Sequence, residues 1–331
     1  MAELFDESLD KTSSSLAAAI KKGQAPPSLS APLFVLWEVT SKCAQNCLYC
    51  YNRSPKATKE LSGKRLFQVA DEIIKARVFA LCLSGGDPIR RPEYLELLQY
   101  LSKAGISVGT VLSGFRVTPE VVRVLAGAAT NVQISLDGAT AEVHDHVRGR
   151  KGSFDDAVGA IKQLVEYGKE VHVAFAATKL NIHQFSDVYN LCKELGVQSL
   201  RTQRLVFTGK AKDNLGDIVA TDEDCNRLTE FCKSVNNGNK PDVLFGDPTQ
   251  HITLGLDHGL SLLARITAEG YVSPSPYLNI FFGDLNEKSM KEIWSDMKKA
   301  WHLPAITEFL DKYVTCKNGE ISVKTDDYIF V

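Results

Sequence analysis

From residue 34 the chain alternates between short runs rich in β-branched and aromatic residues and longer stretches of helical periodicity. The β-like runs lie at 34–40, 79–85, 106–113, 131–136, 171–177 and 199–207. Between them are amphipathic stretches such as 152–168, where Phe154, Val158, Ile161, Leu164 and Val165 recur at the spacing of one helix face and Gly168 supplies a stop. Strands alternating with helices imply a parallel sheet joined by right-handed crossovers. Six such units are too few for a closed eight-fold barrel. The expected fold class is therefore α/β, a partial (β/α)6 TIM-like barrel over residues 34–240, with its working loops at the C-terminal ends of the strands.

The flanks follow other patterns. Residues 1–33 read as a short amphipathic helix ended by Lys21-Lys22-Gly23, then a connector containing Pro and Ser. From residue 241 to 331 the alternation stops. A hairpin is expected around Glu269-Gly270, a helix near 286–300 and a polar tail, together a small α+β cap.

Composition narrows the setting. Of 331 residues, 44% are hydrophobic and 24% charged, the balance of an ordinary globular protein. With 38 basic residues against 40 acidic, nothing points to nucleic acid as a partner. No apolar run reaches the roughly 18 residues that would span a bilayer. The N-terminus lacks the basic start and apolar stretch of a secretory signal. A cytoplasmic protein is expected, with no membrane partner.

In such a compartment thiols stay reduced, so the eight cysteines are not a disulfide framework. Isolated ones such as Cys82 read as small core hydrophobes. Three do not fit that reading: Cys43, Cys47 and Cys50 crowd the loop after the first strand as C-x3-C-x2-C. Zinc sites favour four ligands in paired knuckles, so zinc would need a distant fourth group. A cubane iron–sulfur cluster normally takes four thiolates; with three, one iron is left open to another ligand.

This loop, with Tyr49 ahead of the last cysteine, resembles the signature of the radical SAM superfamily. The resemblance implies a 4Fe-4S cluster on Cys43, Cys47 and Cys50 whose open iron is chelated by S-adenosylmethionine. Reductive cleavage of that cofactor would yield a 5′-deoxyadenosyl radical that takes a hydrogen atom from the substrate. LSGGDP at 83–88 resembles the superfamily's GGE-type motif, which places Gly85, Gly86 and Asp87 against the methionyl amino group. The stretch ISLDGATAEVHDHVRG at 134–149 resembles the branch bearing SPASM or twitch extensions. There Ser135 and Arg148 would hold the S-adenosylmethionine carboxylate, a task suited to the rigid guanidinium fork. Ser113 is a further candidate for the nucleoside, then Thr178 and Asn181. His144 and His146 read as surface residues.

The C-terminal region keeps the branch's scaffold, including Gly259 and the run from Gly283 to Trp294, but has Leu256 and Ser275 where its auxiliary-cluster cysteines sit. Neither side chain can replace a soft thiolate on iron. A redox-neutral outcome, or return of the electron to the one cluster, is therefore expected. Cys225 and Cys232, seven apart on a helix, are candidate hydrogen-atom donors to a substrate radical. The resemblance implies a peptide maturase reduced by ferredoxin or flavodoxin. A small cofactor precursor such as a tetrapyrrole, or a natural-product precursor, is the alternative substrate. The short lead-in of residues 1–33 holds no leader-binding module, which weighs against a ribosomal peptide. A non-catalytic metal-binding module would leave the Gly-Gly-Asp and Ser135/Arg148 motifs without a use.

Overall fold

The structure is a computed structural model that describes residues 29–52, 59–236, 238–246, 248, 251–252, 255–256, 259, 261–317, 320–323 and 329–331. The helix expected within 1–33 lies outside the described residues. Six parallel strands follow the alternation read above: β1 (Phe34–Thr40), β2 (Ala80–Gly85), β3 (Ser107–Leu112), β4 (Asn131–Ser135), β5 (Val171–Ala176) and β6 (Ser199–Gln203). Each pairs with the next in parallel register.

The parallel run is longer than six. β7 (Asp242–Gly246) pairs with β6, and β8 (Leu263–Ile266) adds to the free side of β1, both parallel. β7 begins two residues past the boundary drawn at 240, and β8 lies further on. These two were hidden because runs of five and four residues carry too little periodicity to separate from loop. Through these strands the sheet order is β8-β1-β2-β3-β4-β5-β6-β7, and among the described residues β7 does not pair with β8, so the barrel stays open. β9 (Tyr271–Ser273) turns back antiparallel on β8 through Glu269-Gly270, the expected hairpin. The helix Met290–Met297 follows, started by a reciprocal Ser289/Glu292 capping box.

Strand alternation divides the side chains between two environments. Outward-facing Val35, Trp37, Leu83, Val108, Val132, Ile134 and Val173 are fully buried beneath the helices. Each such side chain contributes roughly 1.5–3 kcal/mol by leaving water. The helices return the complementary face, for instance Leu66, Val69 and Ile73 from Gly63–Lys75, and Ala157, Ile161 and Leu164 from Ser153–Glu166. Inward-facing Leu36, Cys82, Ser84, Gly109, Gln133, Ser135 and Ala174 instead line a cavity of about 820 Å3 inside the curved sheet. The rigid outer layer thus frees the inner face for chemistry.

Candidate active site

The loop bearing Cys43, Cys47 and Cys50 has no regular structure of its own, so other segments must satisfy its backbone. Three do. From the end of β2, Gly86 N donates to Thr40 O at 2.6 Å and Asp87 N to Lys42 O at 2.9 Å. From the end of the helix Ala141–Arg148, the carbonyls of Arg148 and Val147 accept from Asn46 N and Leu48 N. From beyond β6, Lys210 N donates to Cys50 O at 2.9 Å and Asn214 Nδ2 to Leu48 O at 2.7 Å. The Glu60 carboxylate ties down the loop's start, accepting from Thr40 Oγ1, Ser41 N and Ser41 Oγ at 2.8–3.0 Å.

Close approach explains two glycines. A Cβ on Gly86 would lie 2.4 Å from Lys42 O, and one on Gly149 2.5 Å from Asn46 O. Gly149 also closes its helix at φ 65°, a left-handed cap that disfavours any other residue. Gly85 and Gly86 line the cavity as expected, but they are required first for packing against the cysteine loop.

The three cysteines share the cavity mouth with Tyr49, Ser113, Ser135 and Arg148. Their thiols act electrostatically on one another, and Arg148 favours the charged form of all three. Burial outweighs that help and raises each thiol, Cys50 to about 12. As metal ligands these thiols would reach the thiolate form by exchanging a proton for the metal, not by ionising alone. Among the described residues no three His, Cys, Asp or Glu side chains converge on a single ion position.

The residues present also fit a polar ligand beside a cluster. Gln45, between the first two cysteines, is 9% exposed and lines the cavity, yet both its amide oxygen and nitrogen lack a protein partner. Buried polar atoms without partners are costly, so an amide left open here is matched by something the cavity takes in. A cluster on the three thiolates, with the methionyl part of S-adenosylmethionine near Gly85, Gly86, Ser135 and Arg148, would fill this mouth.

Arg148 is held more firmly than the sequence implied. Its Nη1 donates to Tyr49 Oη at 2.7 Å and lies 3.3 Å from Asp137 Oδ2, which also accepts from Tyr49 Oη at 2.5 Å. Burial lifts the Tyr49 hydroxyl well above the usual tyrosine range, so it stays protonated and can donate. Asp137 Oδ1 accepts from Ala176 N at 2.8 Å, which fixes the carboxylate to β5. Asp137 was not singled out from the sequence, although it stands two residues after Ser135 in the same motif.

Other sites fall differently from expectation. Asp87 is buried and not among the residues lining the cavity; Ser113 Oγ donates to its Oδ2, while Oδ1 has no protein partner. Thr178 and Asn181 are buried and spent on local bonds: Asn181 Oδ1 accepts from Thr178, and its Nδ2 donates to Asp137 O and Ala176 O. His144 is not a surface residue. It is fully buried, accepts from Asp137 N at 3.0 Å through Nδ1 and packs edge-on to Phe154. His146 is exposed, as expected.

The proposed donors Cys225 and Cys232 are buried in the helix Asp222–Val235, and neither is among the residues lining the cavity. Cys232 packs in the main core. The helical seven-residue spacing that joined them on one face turned that face to the protein interior instead of the substrate space. Cys82 does line the cavity, on the inward face of β2. At Ser275 the hydroxyl lies 2.8 Å from His251 Nε2 and accepts from Tyr277 N at 3.1 Å, so a buried hydrogen-bonded serine stands where the branch has a thiolate. Leu256 is half exposed. The side chain of Cys316 lies outside the described residues.

The sequence model of the radical SAM superfamily matches residues 37–192, the stretch that carries the cysteine loop, the Gly-Gly-Asp turn and Arg148. Residues 37–192 are a radical SAM domain. Enzymes of that superfamily use a 4Fe-4S cluster and S-adenosylmethionine. The chain is 36% identical over 227 residues to the mycofactocin maturase MftC of Mycobacterium tuberculosis, a match covering 68% of this chain and 56% of the relative. It thus spans little more than half the length of that relative. The AdoMet-dependent heme synthase of Methanosarcina barkeri is 26% identical over 293 residues, covering 81% of this chain and 83% of the synthase. Among solved structures, Streptococcus suis SuiB bound to the precursor peptide SuiA superposes with a TM-score of 0.68 at 15% identity, over 94% of this chain and 73% of that one. That likeness establishes the fold alone, an open, mostly parallel α/β barrel. Among the described residues no helix is long and apolar enough to cross a membrane.

Proposed function

We propose that this radical SAM enzyme is a maturase that modifies a peptide, working in the cytoplasm with ferredoxin or flavodoxin as reductant. The observation that carries the reading is the continuity of the site. The cysteine loop, the Tyr49–Asp137–Arg148 network and the inward faces of β1–β6 border one cavity of about 820 Å3. A site of that size has room for the cofactor and part of a substrate together. When bound, the cluster and S-adenosylmethionine supply the radical that removes a substrate hydrogen atom. The protein positions the cofactor through Arg148 and Ser135 and encloses it among buried groups. Cytoplasmic residence is supported by the need to keep Cys43, Cys47 and Cys50 reduced for cluster assembly.

Names of relatives support the substrate class. Besides the mycofactocin maturase, the chain is similar to a Bacillus subtilis protein of bacteriocin subtilosin biosynthesis, and a structural neighbour was captured with a precursor peptide. A second reading, a small cofactor precursor such as a tetrapyrrole, is favoured by one fact: similarity to the heme synthase covers 81% of this chain and 83% of the synthase. Isotope transfer separates the two. Anaerobically reconstituted enzyme is incubated with S-adenosylmethionine, dithionite and deuterated candidates. Deuterium should pass from a peptide into 5′-deoxyadenosine; transfer from a labelled tetrapyrrole and from none of the peptides would replace the first reading by the second.

A further inference from the structure

Phe115, just past β3, carries three guanidinium groups over its ring. Arg150 lies 5.1 Å, Arg116 5.2 Å and Arg90 5.8 Å from the ring centroid. Arg90 comes from the turn after β2, Arg116 from the loop after β3, and Arg150 from the loop between the helices Ala141–Arg148 and Ser153–Glu166. Arg150 is paired with Asp156. Among the described residues no carboxylate pairs with Arg90 or Arg116, and both are exposed. With Arg150 neutralised by Asp156, the charges of Arg90 and Arg116 remain uncompensated beside one ring, whose attraction for cations offsets only part of their repulsion. An acidic partner would relieve the remainder.

The place of the patch matters as much as its charge. Arg90 N donates to Asp87 O, and Asp87 N in turn to Lys42 O, each at 2.9 Å, which sets the Arg90 loop against the residue before Cys43. Phe115 N donates to Ser113 Oγ, itself bonded to Asp87. Gly149, beside Arg150, packs on Asn46 O of the cysteine loop. Lys42 and Lys151 are exposed and extend the basic rim, while Cys43 is the exposed member of the trio. Glu120 and Asp155, in the first turns of the helices Pro119–Ala128 and Ser153–Glu166, are exposed acids near the patch; Glu93 is taken up by Arg91, which also holds Glu60.

We propose that this patch, Arg90, Arg116 and Arg150 on Phe115 with Lys42 and Lys151, docks a small acidic one-electron carrier protein of the flavodoxin type. The proposal rests on the radical SAM reading, since it assigns the route by which that cluster is reduced. With a cluster on Cys43, Cys47 and Cys50, the carrier's reduced flavin would supply the one electron it needs; no atom would be exchanged at the patch. The outer side of these loops is left for a carrier because their inner side borders the substrate cavity. The near-neutral chain as a whole argues against a nucleic acid here.

The test compares two reductants on the full-length reconstituted enzyme. In Arg90→Glu/Arg116→Glu, S-adenosylmethionine cleavage driven by flavodoxin, kept reduced by NADPH and its reductase, should fall by about tenfold or more in kcat/KM at low salt. Cleavage driven by dithionite should stay within about twofold of the wild type. Added salt should slow the carrier-driven wild-type reaction and leave the variant nearly unchanged. Equal loss with both reductants would make the arginines part of the cofactor site, and no loss with either would move docking elsewhere; both overturn the proposal. So does a loss confined to substrate turnover with dithionite, which would mark a surface for an acidic substrate, and so does a carrier that fails to drive the wild type. If iron-loaded wild type cleaved nothing even with dithionite, the radical SAM reading itself would fall first.

Discussion

Arg265 grips Glu38 by both carboxylate oxygens, Nε to Oε1 and Nη2 to Oε2 at 3.0 Å each, with both side chains buried. Glu38 is on β1, two residues from its end, and Arg265 on β8, so the pair fastens the C-terminal hairpin to the strand that launches the cysteine loop. The bidentate geometry is the one in which arginine is strongest. Removing one partner leaves a buried charge without compensation. Glu38→Gln should therefore lower unfolding free energy by about 3 kcal/mol, measured by denaturant titration. Glu38→Leu/Arg265→Met should recover much of that loss. A double variant weaker than either single one would show that the pair itself supplies net stability.

The cluster has a direct chemical readout. Reconstituted protein should hold about four irons and four sulfides, the content of one cubane. The triple variant Cys43→Ala/Cys47→Ala/Cys50→Ala should lose that iron and S-adenosylmethionine cleavage together. Because Ser275 is hydrogen-bonded to His251 and Leu256 is a hydrocarbon, no iron–sulfur absorbance should remain. Residual absorbance would reveal a second cluster and remove the ground for a redox-neutral reaction.

Much of this was legible in the chain because strong periodicity and strong chemistry coincide. The first five strands fall within a residue or so of where alternation put them, and the thiolate trio follows the first of them as C-x3-C-x2-C spacing required. What escaped has physical reasons. β7 and β8 are too short to show a period, and their membership depends on pairing with strands far away in sequence. Asp137 and Glu60 act through tertiary bonds, to Arg148 and to Ser41, that no local pattern encodes. Cys225 and Cys232 illustrate the converse: helical spacing shows that two side chains share a face, but not which way that face looks. Cys82 looked like core filler because alternation along β2 cannot say which side encloses a cavity.

Arg148 tests the cofactor contact. Its guanidinium is fixed by Tyr49 and Asp137, so the rest of the fork is pre-aimed with little entropy left to lose. Arg148→Lys keeps the charge but not two-point recognition, and should weaken S-adenosylmethionine binding by about tenfold, the cost of one charge-assisted bond. Iron content should not change. The measurement is S-adenosylmethionine titration followed by the electron paramagnetic resonance signal of the reduced cluster. Unaltered affinity in Arg148→Ala would return the residue to a structural role behind Tyr49.

His144 gives a pH signature. Burial, with Arg148 and Arg150 adding to it and Asp137 and Asp145 opposing, lowers the ring's pKa to about 4 from an ordinary 6.5. Its Nδ1 accepts from Asp137 N, a bond only the neutral ring can make. The unfolded chain takes up the proton first as pH falls, so protonation favours unfolding. The stability in question is fully present above about 6.5 and is lost progressively between there and about 4. The linked loss across that window is up to roughly 3 kcal/mol, at about 1.4 kcal/mol for each tenfold rise in proton concentration. His144→Asn can still accept from Asp137 N through its amide oxygen but does not titrate. Thermal unfolding from pH 7 to pH 4 should fall more steeply for the wild type than for His144→Asn. Parallel slopes would mean that the buried ring takes up its proton in the folded protein as readily as in the unfolded chain.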